Sequence, residues 1–283
     1  MILFKKSTDL YKWLDNQESA GNKVGFVPTM GALHSGHISL ISASNKENAI
    51  TVSSIFVNPT QFNDPKDFEK YPVTIEKDIL LLEAAGCDVL FLPSANEIYP
   101  NGLNEMKQYD LGYIETVFDG KFRPGHFQGV CMVVQRLLEI VLPNRLYLGQ
   151  KDYQQCMIIT KLVELIGLND KIEIIICPTM REANGLAMSS RNMRLSKEER
   201  EKAGVIYSSL GMIKDNIGKE DLQILKQKAR KMLTSNGLKP DYIEIANAKD
   251  LSIIDKPEHD VKAVALVAAF MNDVRLIDNM LLN

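Results

Sequence analysis

Residues 27–37 read VPTMGALHSGH: an apolar run, a glycine-containing turn, and two histidines, His34 and His37, on either side of Gly36. A turn that opens a helix presents unpaired backbone N–H groups and the positive end of the helix dipole, a setting that suits phosphate. Imidazoles beside it can donate hydrogen bonds to phosphate oxygens and stabilise the charge that develops as a phosphoanhydride opens. Gly31 and Gly36 let backbone approach a ligand closely. Taken alone, the two histidines read equally well as polar residues in a turn. A metal site is the weaker reading, because no third ligand sits nearby at helical spacing.

Such a turn must be held by a strand before it and a helix after it. KVGFVP (23–28), AITVSSIFV (49–57), CDVLFLP (87–93), RLYLG (145–149) and KIEIIIC (171–177) read as strands, with helix patterns at about 36–48, 74–86, 128–142 and 152–167. Strands apolar on both faces and alternating with helices predict an α/β fold, a Rossmann-like doubly wound parallel sheet, over residues 1–177. Ligands of such sheets bind outside the carboxyl ends of the strands, which is where the two histidines fall. After Cys177 the rhythm changes. SKEEREKAGVIYSSLGMIKDNIG and KEDLQILKQKARKMLTSNG predict two amphipathic helices, the first opened by a Ser196–Glu199 capping box. DYIEIANA, VKAVALVAAF and DVRLIDN then predict three strands, so residues 178–283 form a smaller α+β domain.

Composition narrows the function. A chain of 283 residues with 45% hydrophobic content and a net charge of −3 has ample core and no bulk basic signal, which disfavours nucleic acid and membrane surfaces as partners. Cys87, Cys131, Cys156 and Cys177 form no CxxC pair, so buried reduced thiols are expected rather than zinc or redox chemistry. The start, MILFKKSTDLYKWLD, turns polar after four residues and lacks a signal-peptide core, and no apolar run approaches the ~20 residues of a membrane span. A cytoplasmic location is expected.

H-x-G-H after a first strand resembles the signature of the nucleotidyltransferase superfamily, which includes class I aminoacyl-tRNA synthetases and cytidylyltransferases. Met188-Ser189-Ser190-Arg191, after the fifth strand, fits the second phosphate-binding motif of that group, with Arg191 as cation and both hydroxyls as donors. FVNPTQF (56–62), YP-x-T (71–74), RPGHFQGV (123–130), LGQKDYQQ (148–155), PTMREANGLAMSSRN (178–192) and the ending VALVAAFMNDVRLIDN then follow in order. Together they resemble the pantoate–β-alanine ligase family over essentially the whole chain. Two positions depart from that family's pattern: Val73 replaces the usual arginine of Y-P-R-T, and Gln150 stands where G-E-K-D is frequent.

The resemblance implies a two-step reaction in which pantoate carboxylate attacks the α-phosphate of ATP and the β-alanine amine then displaces AMP from pantoyl adenylate. It implies that Met30, Gly31, Ala32, Leu33, His34, Ser35, Gly36 and His37 line ATP, with the histidines at the phosphates. Gly149, Gln150, Lys151 and Asp152 would continue that site, the Lys151 ammonium on phosphate and the Asp152 carboxylate on ribose. Ser189, Ser190 and Arg191 would close over the triphosphate with Ala187 and Met188, while the Met180 and Leu186 backbones edge the adenine. Gln61 and Gln155, neutral and able both to donate and to accept, would hold pantoate and β-alanine. Arg123 and His126 fit either a pyrophosphate contact or a structural turn. Mg²⁺ is implied as the companion of ATP, with Asp78 as a candidate ligand, although an ordinary helix-surface acid is the commoner reading of a single aspartate. His259 reads as a surface residue. A homodimer and a C-terminal domain acting as a lid over bound nucleotide complete the expectations.

Three other readings compete. A cytidylyltransferase-like enzyme would share H-x-G-H but not the motifs around Gln61 and Gln155. A tRNA synthetase would need a basic anticodon-binding domain. A non-catalytic nucleotide-binding regulator has no need of His34, His37, Lys151 and Ser189 together.

Overall fold

Six short strands pair in parallel in the computed structural model, which describes residues 1–102, 107–256 and 261–282. His259 lies outside the described residues. The strands are β1 (Ile2–Phe4), β2 (Val24–Thr29), β3 (Ile50–Ile55), β4 (Val89–Phe91), β5 (Arg145–Gly149) and β6 (Glu173–Cys177), in the order β1-β4-β3-β2-β5-β6. The chain proceeds outward from β2 through β3 to β4 and then returns to place β5 on β2's other side. The strand order therefore reverses between β2 and β5, the position at which doubly wound sheets open a ligand crevice at their carboxyl ends.

Both faces of this sheet are covered, which explains why its strands read as continuous apolar runs. Phe26, Val52, Leu146 and Leu148 pack on one side with Val130, Val134 and Leu138 of the helix His126–Val141. Val27, Ile55, Leu90 and Tyr147 pack on the other with Leu40, Ile41 and Leu82. The four cysteines are free and buried in these layers, and burial pushes the Cys87 and Cys131 thiols up to about 12. Such thiols stay protonated and inert. The strand β1 and the helix Ser7–Ser19 were not among the expected elements. Leu10 and Leu14 anchor that helix on the sheet.

The chain divides into two compact units: Met1–Gly149 with Gln155–Pro178, and Gln150–Gln154 with the residues from Thr179 onward. The second unit is built on an antiparallel sheet of β7 (Leu238–Asn247), β8 (Ala263–Met271) and β9 (Val274–Leu281), in the order β7-β8-β9. Its core joins Val267, Ala269 and Leu276 to Leu210, Leu225 and Leu233 of the flanking helices. The Ser196–Glu199 capping box forms, with Ser196 N–H donating to Glu199 Oε2 at 2.7 Å and Glu199 N–H to Ser196 Oγ at 3.2 Å. The single helix expected after it is interrupted, running as Lys197–Ala203 and Val205–Asn216. At the break, a Cβ on Gly204 would come within 2.7 Å of the Asn184 carbonyl oxygen, so close backbone approach takes the place of a side chain. No described helix is long and apolar enough to cross a membrane.

Candidate active site

The turn after β2 is bent by two consecutive residues with positive φ, Gly31 at 79° and Ala32 at 49°. Glycine adopts that region freely and alanine does so at a cost, so something must hold Ala32 there. Asp78 does. Its Oδ2 accepts the Ala32 N–H at 2.9 Å and its Oδ1 accepts the Leu33 N–H at 2.8 Å and the Thr74 hydroxyl at 3.0 Å. The carboxyl is fully buried in the helix Ile75–Ala84. This corrects the expectation of a surface acid: Asp78 is buried, and both its oxygens accept from the backbone of the histidine turn. Among the described residues no group of three or more His, Cys, Asp or Glu side chains is arranged to hold a metal ion.

Removing that clamp takes the carboxylate acceptor from two buried N–H groups, which costs about 3 kcal/mol or more. Asp78→Ala is therefore expected to lower the thermal midpoint by several degrees and to slow turnover, and raising Mg²⁺ should restore neither. Recovery of activity at high Mg²⁺ would point back to a metal ligand.

His34 and His37 then open the helix Ser35–Glu47 as a reciprocal cap. His34 Nδ1 accepts the Gly36 N–H at 3.1 Å, and His37 Nδ1 accepts the His34 N–H at 3.3 Å. Each neutral ring that accepts through Nδ1 carries its proton on Nε2. The rings lie side by side, with centroids 4.1 Å apart and planes 41° apart. The cap thus engages the His34 and Gly36 N–H groups, and it leaves each ring with its donor on Nε2. The reading as simple turn residues and the reading as phosphate donors are compatible, because capping fixes the tautomer that donates.

Gln61 stands beside this turn. Its Nε2 lies 3.0 Å from the Met30 sulfur and its Oε1 accepts from Asn58 Nδ2 at 3.2 Å. Asn58 is buried and also donates to the Gly129 carbonyl at 3.1 Å, while its Oδ1 accepts from the Tyr99 hydroxyl at 2.8 Å. His126 completes the bracket. Its Nδ1 donates to the Gln61 carbonyl at 2.7 Å, so Nε2 is the acceptor that faces Arg123 Nη1 at 2.9 Å. Arg123 and His126 therefore support the turn that carries Gln61. Asn58 and Tyr99 were not singled out in the sequence. The one local signal was Asn58 before Pro59, an N-cap that accepts from Thr60 N–H at 3.3 Å. Gln155 is half-buried near the start of the helix Tyr153–Leu165, and Gly149 ends β5.

In the second unit, Lys151 and Asp152 lie in a short 3-10 turn, Gln150–Asp152, with Nζ and Oδ1 3.5 Å apart. Residues 180–188 fold back on themselves: Met188 N–H donates to the Met180 carbonyl at 2.9 Å and Glu182 N–H to the Leu186 carbonyl at 2.8 Å. Leu186 N–H is taken by Asn184 Oδ1 at 3.1 Å, and its side chain belongs to the core of the unit. Both polar backbone groups of Leu186 are thus used inside the turn, whereas Met180 is 42% exposed. Ser189 caps the following 3-10 turn by accepting the Arg191 N–H at 3.3 Å, and Ser190 is buried within it. The turn is anchored by Arg181, which makes a two-pronged pair with buried Asp278 at 2.6 and 3.0 Å and lies 4.1 Å over the Tyr207 ring. Burial raises the Asp278 carboxyl above its usual range, with Arg181 opposing that shift.

The family model described as Pantoate-beta-alanine ligase matches residues 2–281. A pantothenate synthetase of Cytophaga hutchinsonii is 44% identical over 285 residues, covering 100% of this chain and 99% of that one. Among solved structures, pantothenate synthetase from Thermus thermophilus has a TM-score of 0.91 at 37% identity, with 99% of each chain covered. Pantoate-beta-alanine ligase from Francisella tularensis, complexed with beta-gamma ATP and beta-alanine, has a TM-score of 0.81 at 40% identity, covering 99% of this chain and 97% of that one.

Proposed function

Because the chain belongs to the pantoate–β-alanine ligase family, we propose that its histidine turn, glutamine bracket and second-unit turns divide the two steps of that family's reaction among them. The enzyme condenses pantoate with β-alanine to pantothenate at the expense of ATP, through a pantoyl adenylate, releasing AMP and pyrophosphate. The observation that carries the assignment of roles is the contact of Gln61 with Met30, which sets a neutral carboxamide beside the capped histidine pair.

In the first step the Nε2–H edges of His34 and His37 donate to phosphate oxygens and stabilise charge on the pyrophosphate as the carboxylate attacks. Lys151, Ser189, Ser190 and Arg191 supply further positive charge and donors, and Asp152 accepts from ribose. The Met180 and Met188 edges of the folded-back turn meet the adenine, since Leu186 is engaged in the core. Gln61 and Gln155 hold pantoate, a role for which a neutral amide is suited because it binds hydroxyl and carboxylate alike. Mg²⁺ enters with ATP as part of the substrate, held mainly by phosphate oxygens and water. We also propose that the protein is cytoplasmic and works as a homodimer associated through the first unit, where Leu142, Leu165 and Ile176 expose apolar surface. Sedimentation of the purified protein at the dimer mass is the expected result.

Incubation with ATP, pantoate and β-alanine is expected to yield pantothenate and AMP in equal amounts, with sustained AMP release only when β-alanine is present. Steady pyrophosphate release without the amine, with AMP retained on the product, would favour a simple nucleotidyltransferase, and steady AMP release without it a hydrolase; either removes the ligase reading. The role of Gln61 has its own signature. Gln61→Ala is expected to raise the pantoate KM about tenfold or more, the cost of leaving substrate polar groups unpaired, while ATP binding by calorimetry stays near that of the unaltered enzyme. Equal losses for both ligands would make Gln61 a support for the whole site.

A further inference from the structure

Asp278 and Asn279 are neighbours in β9 and so point to opposite faces of the sheet. Asp278 pairs across the ladder with Val267, on the face that builds the core of the second unit, and there it clamps Arg181. Asn279 pairs with Leu266 on the other face and is 2% exposed. Its carboxamide is wholly directed at the turn that carries Lys151. Nδ2 donates to the Gln150 carbonyl at 2.8 Å and to the Lys151 carbonyl at 2.9 Å, and Oδ1 accepts from Gln150 Nε2 at 3.3 Å. The Tyr153 hydroxyl ties the next residues to the turn that follows β7 by donating to the Ala248 carbonyl at 2.7 Å.

The chemistry of this arrangement is specific. A 3-10 turn has poorer internal hydrogen bonds than an α-helix and frays easily. A carboxamide offers two N–H donors in a fixed plane, matched here to two successive carbonyls, and a buried amide left without such partners would be costly. Asn279 is itself held. Its own N–H donates to Asp278 Oδ1 at 2.8 Å, so the pair with Arg181 on the far face stiffens the strand where the carboxamide leaves it. The Lys151 side chain is only 17% exposed, so its ammonium depends on where the turn places its Cα.

We propose that Asn279 is a positioning residue for the reaction: it holds the Gln150–Lys151 carbonyls so that the Lys151 ammonium is presented to the triphosphate in a single orientation. This rests on the reading of Lys151 as a phosphate contact. A displacement of about 1 Å in such a group costs on the order of 10²-fold in rate, so a loosened turn has a measurable consequence.

The test is a double-mutant cycle on the full chain with Asn279→Ala, Lys151→Ala and the pair, reading ATP affinity by calorimetry, single-turnover formation of pantoyl adenylate, and thermal midpoint. Asn279→Ala is expected to weaken ATP and slow adenylate formation by about tenfold or more. In the Lys151→Ala background the same change should add less than about twofold, because residues that act through one another are not additive. Its effect on the thermal midpoint should be alike in both backgrounds, which separates positioning from general support of the fold. A full additional loss in the Lys151→Ala background overturns the proposal, as does an Asn279→Ala protein with ATP affinity and rate within about twofold of the starting enzyme. Lys151→Ala with unchanged affinity and rate overturns instead the phosphate role of Lys151, and the proposal with it. If Asn279→Ala does not fold, Asn279→Gln, which keeps the amide but displaces it by one methylene, enters the same cycle with the same expected outcomes.

Discussion

His37→Ala is expected to lower the rate of pantoyl adenylate formation by about 10²-fold or more, the scale of losing one preorganised donor to developing negative charge. The variant should remain folded, because the lost cap, in which His37 Nδ1 accepts the His34 N–H, is worth about 1 kcal/mol. Rapid-quench measurement of the first step separates this from effects on release of product. His34→Ala should resemble it, with a larger share of the loss in ATP affinity. His37→Asn is the informative companion. It keeps a side-chain acceptor for the His34 N–H but removes the Nε2–H edge, so it should regain stability without regaining rate. A folded His37→Ala that forms adenylate at close to the starting rate would show that the imidazole only caps the helix.

Gly129→Ala is the second change expected to have a large effect, and it acts through backbone contact with the turn that carries Gln61. The helix His126–Val141 passes so close to the turn Pro59–Gln61 that a Cβ on Gly129 would come 2.3 Å from the Thr60 carbonyl oxygen and 2.8 Å from the Gln61 nitrogen. Both are backbone atoms, so one element must move. The overpacking costs about 1–3 kcal/mol. More telling is the displacement of Gln61, which should reduce turnover by about 10²-fold, mainly through pantoate. Gly211→Ala is the matched control, since that helical glycine has no atom within 4 Å of the added carbon. It is expected to be neutral or to stabilise by about 0.5–1 kcal/mol. Gly129→Ala with an unchanged pantoate KM would show that the turn can yield without moving Gln61.

The family of the enzyme and its fold class were legible in the chain because they are written in short-range patterns. Apolar runs of strand length spaced by helix-length amphipathic segments demand a parallel sheet covered on both faces. The five strands and four helices expected between residues 23 and 177 lie within a few residues of where periodicity put them, whereas the short helices Pro65–Glu69, Ala95–Ile98 and Phe118–Phe122 were not foreseen. The Ser196–Glu199 cap was equally readable, since donor and acceptor are three residues apart. The strand Ile2–Phe4 was not. Three residues are too few to show a period, and their pairing with β4 is long-range.

The site divides in the same way. Motif order brought forward His34, His37, Gln61, Lys151 and Ser189–Arg191, and local spacing suffices for a reciprocal cap between two histidines. Tertiary structure alone decided what holds them. Asp78 reaches across 45 residues to take the Leu33 N–H, Asn58 and His126 brace Gln61, and Asn279 reaches across 128 residues to the Lys151 carbonyl. Each is one polar side chain choosing among many acceptors and donors, and its sequence neighbourhood does not distinguish the choice. The order β1-β4-β3-β2-β5-β6 belongs with them, because periodicity sets which segments become strands but not which strands lie side by side. What local chemistry can settle is the residue type a turn requires. Which distant carboxylate or carboxamide then fixes that turn follows only when packing brings the two together and burial makes an unpaired backbone group too costly to leave.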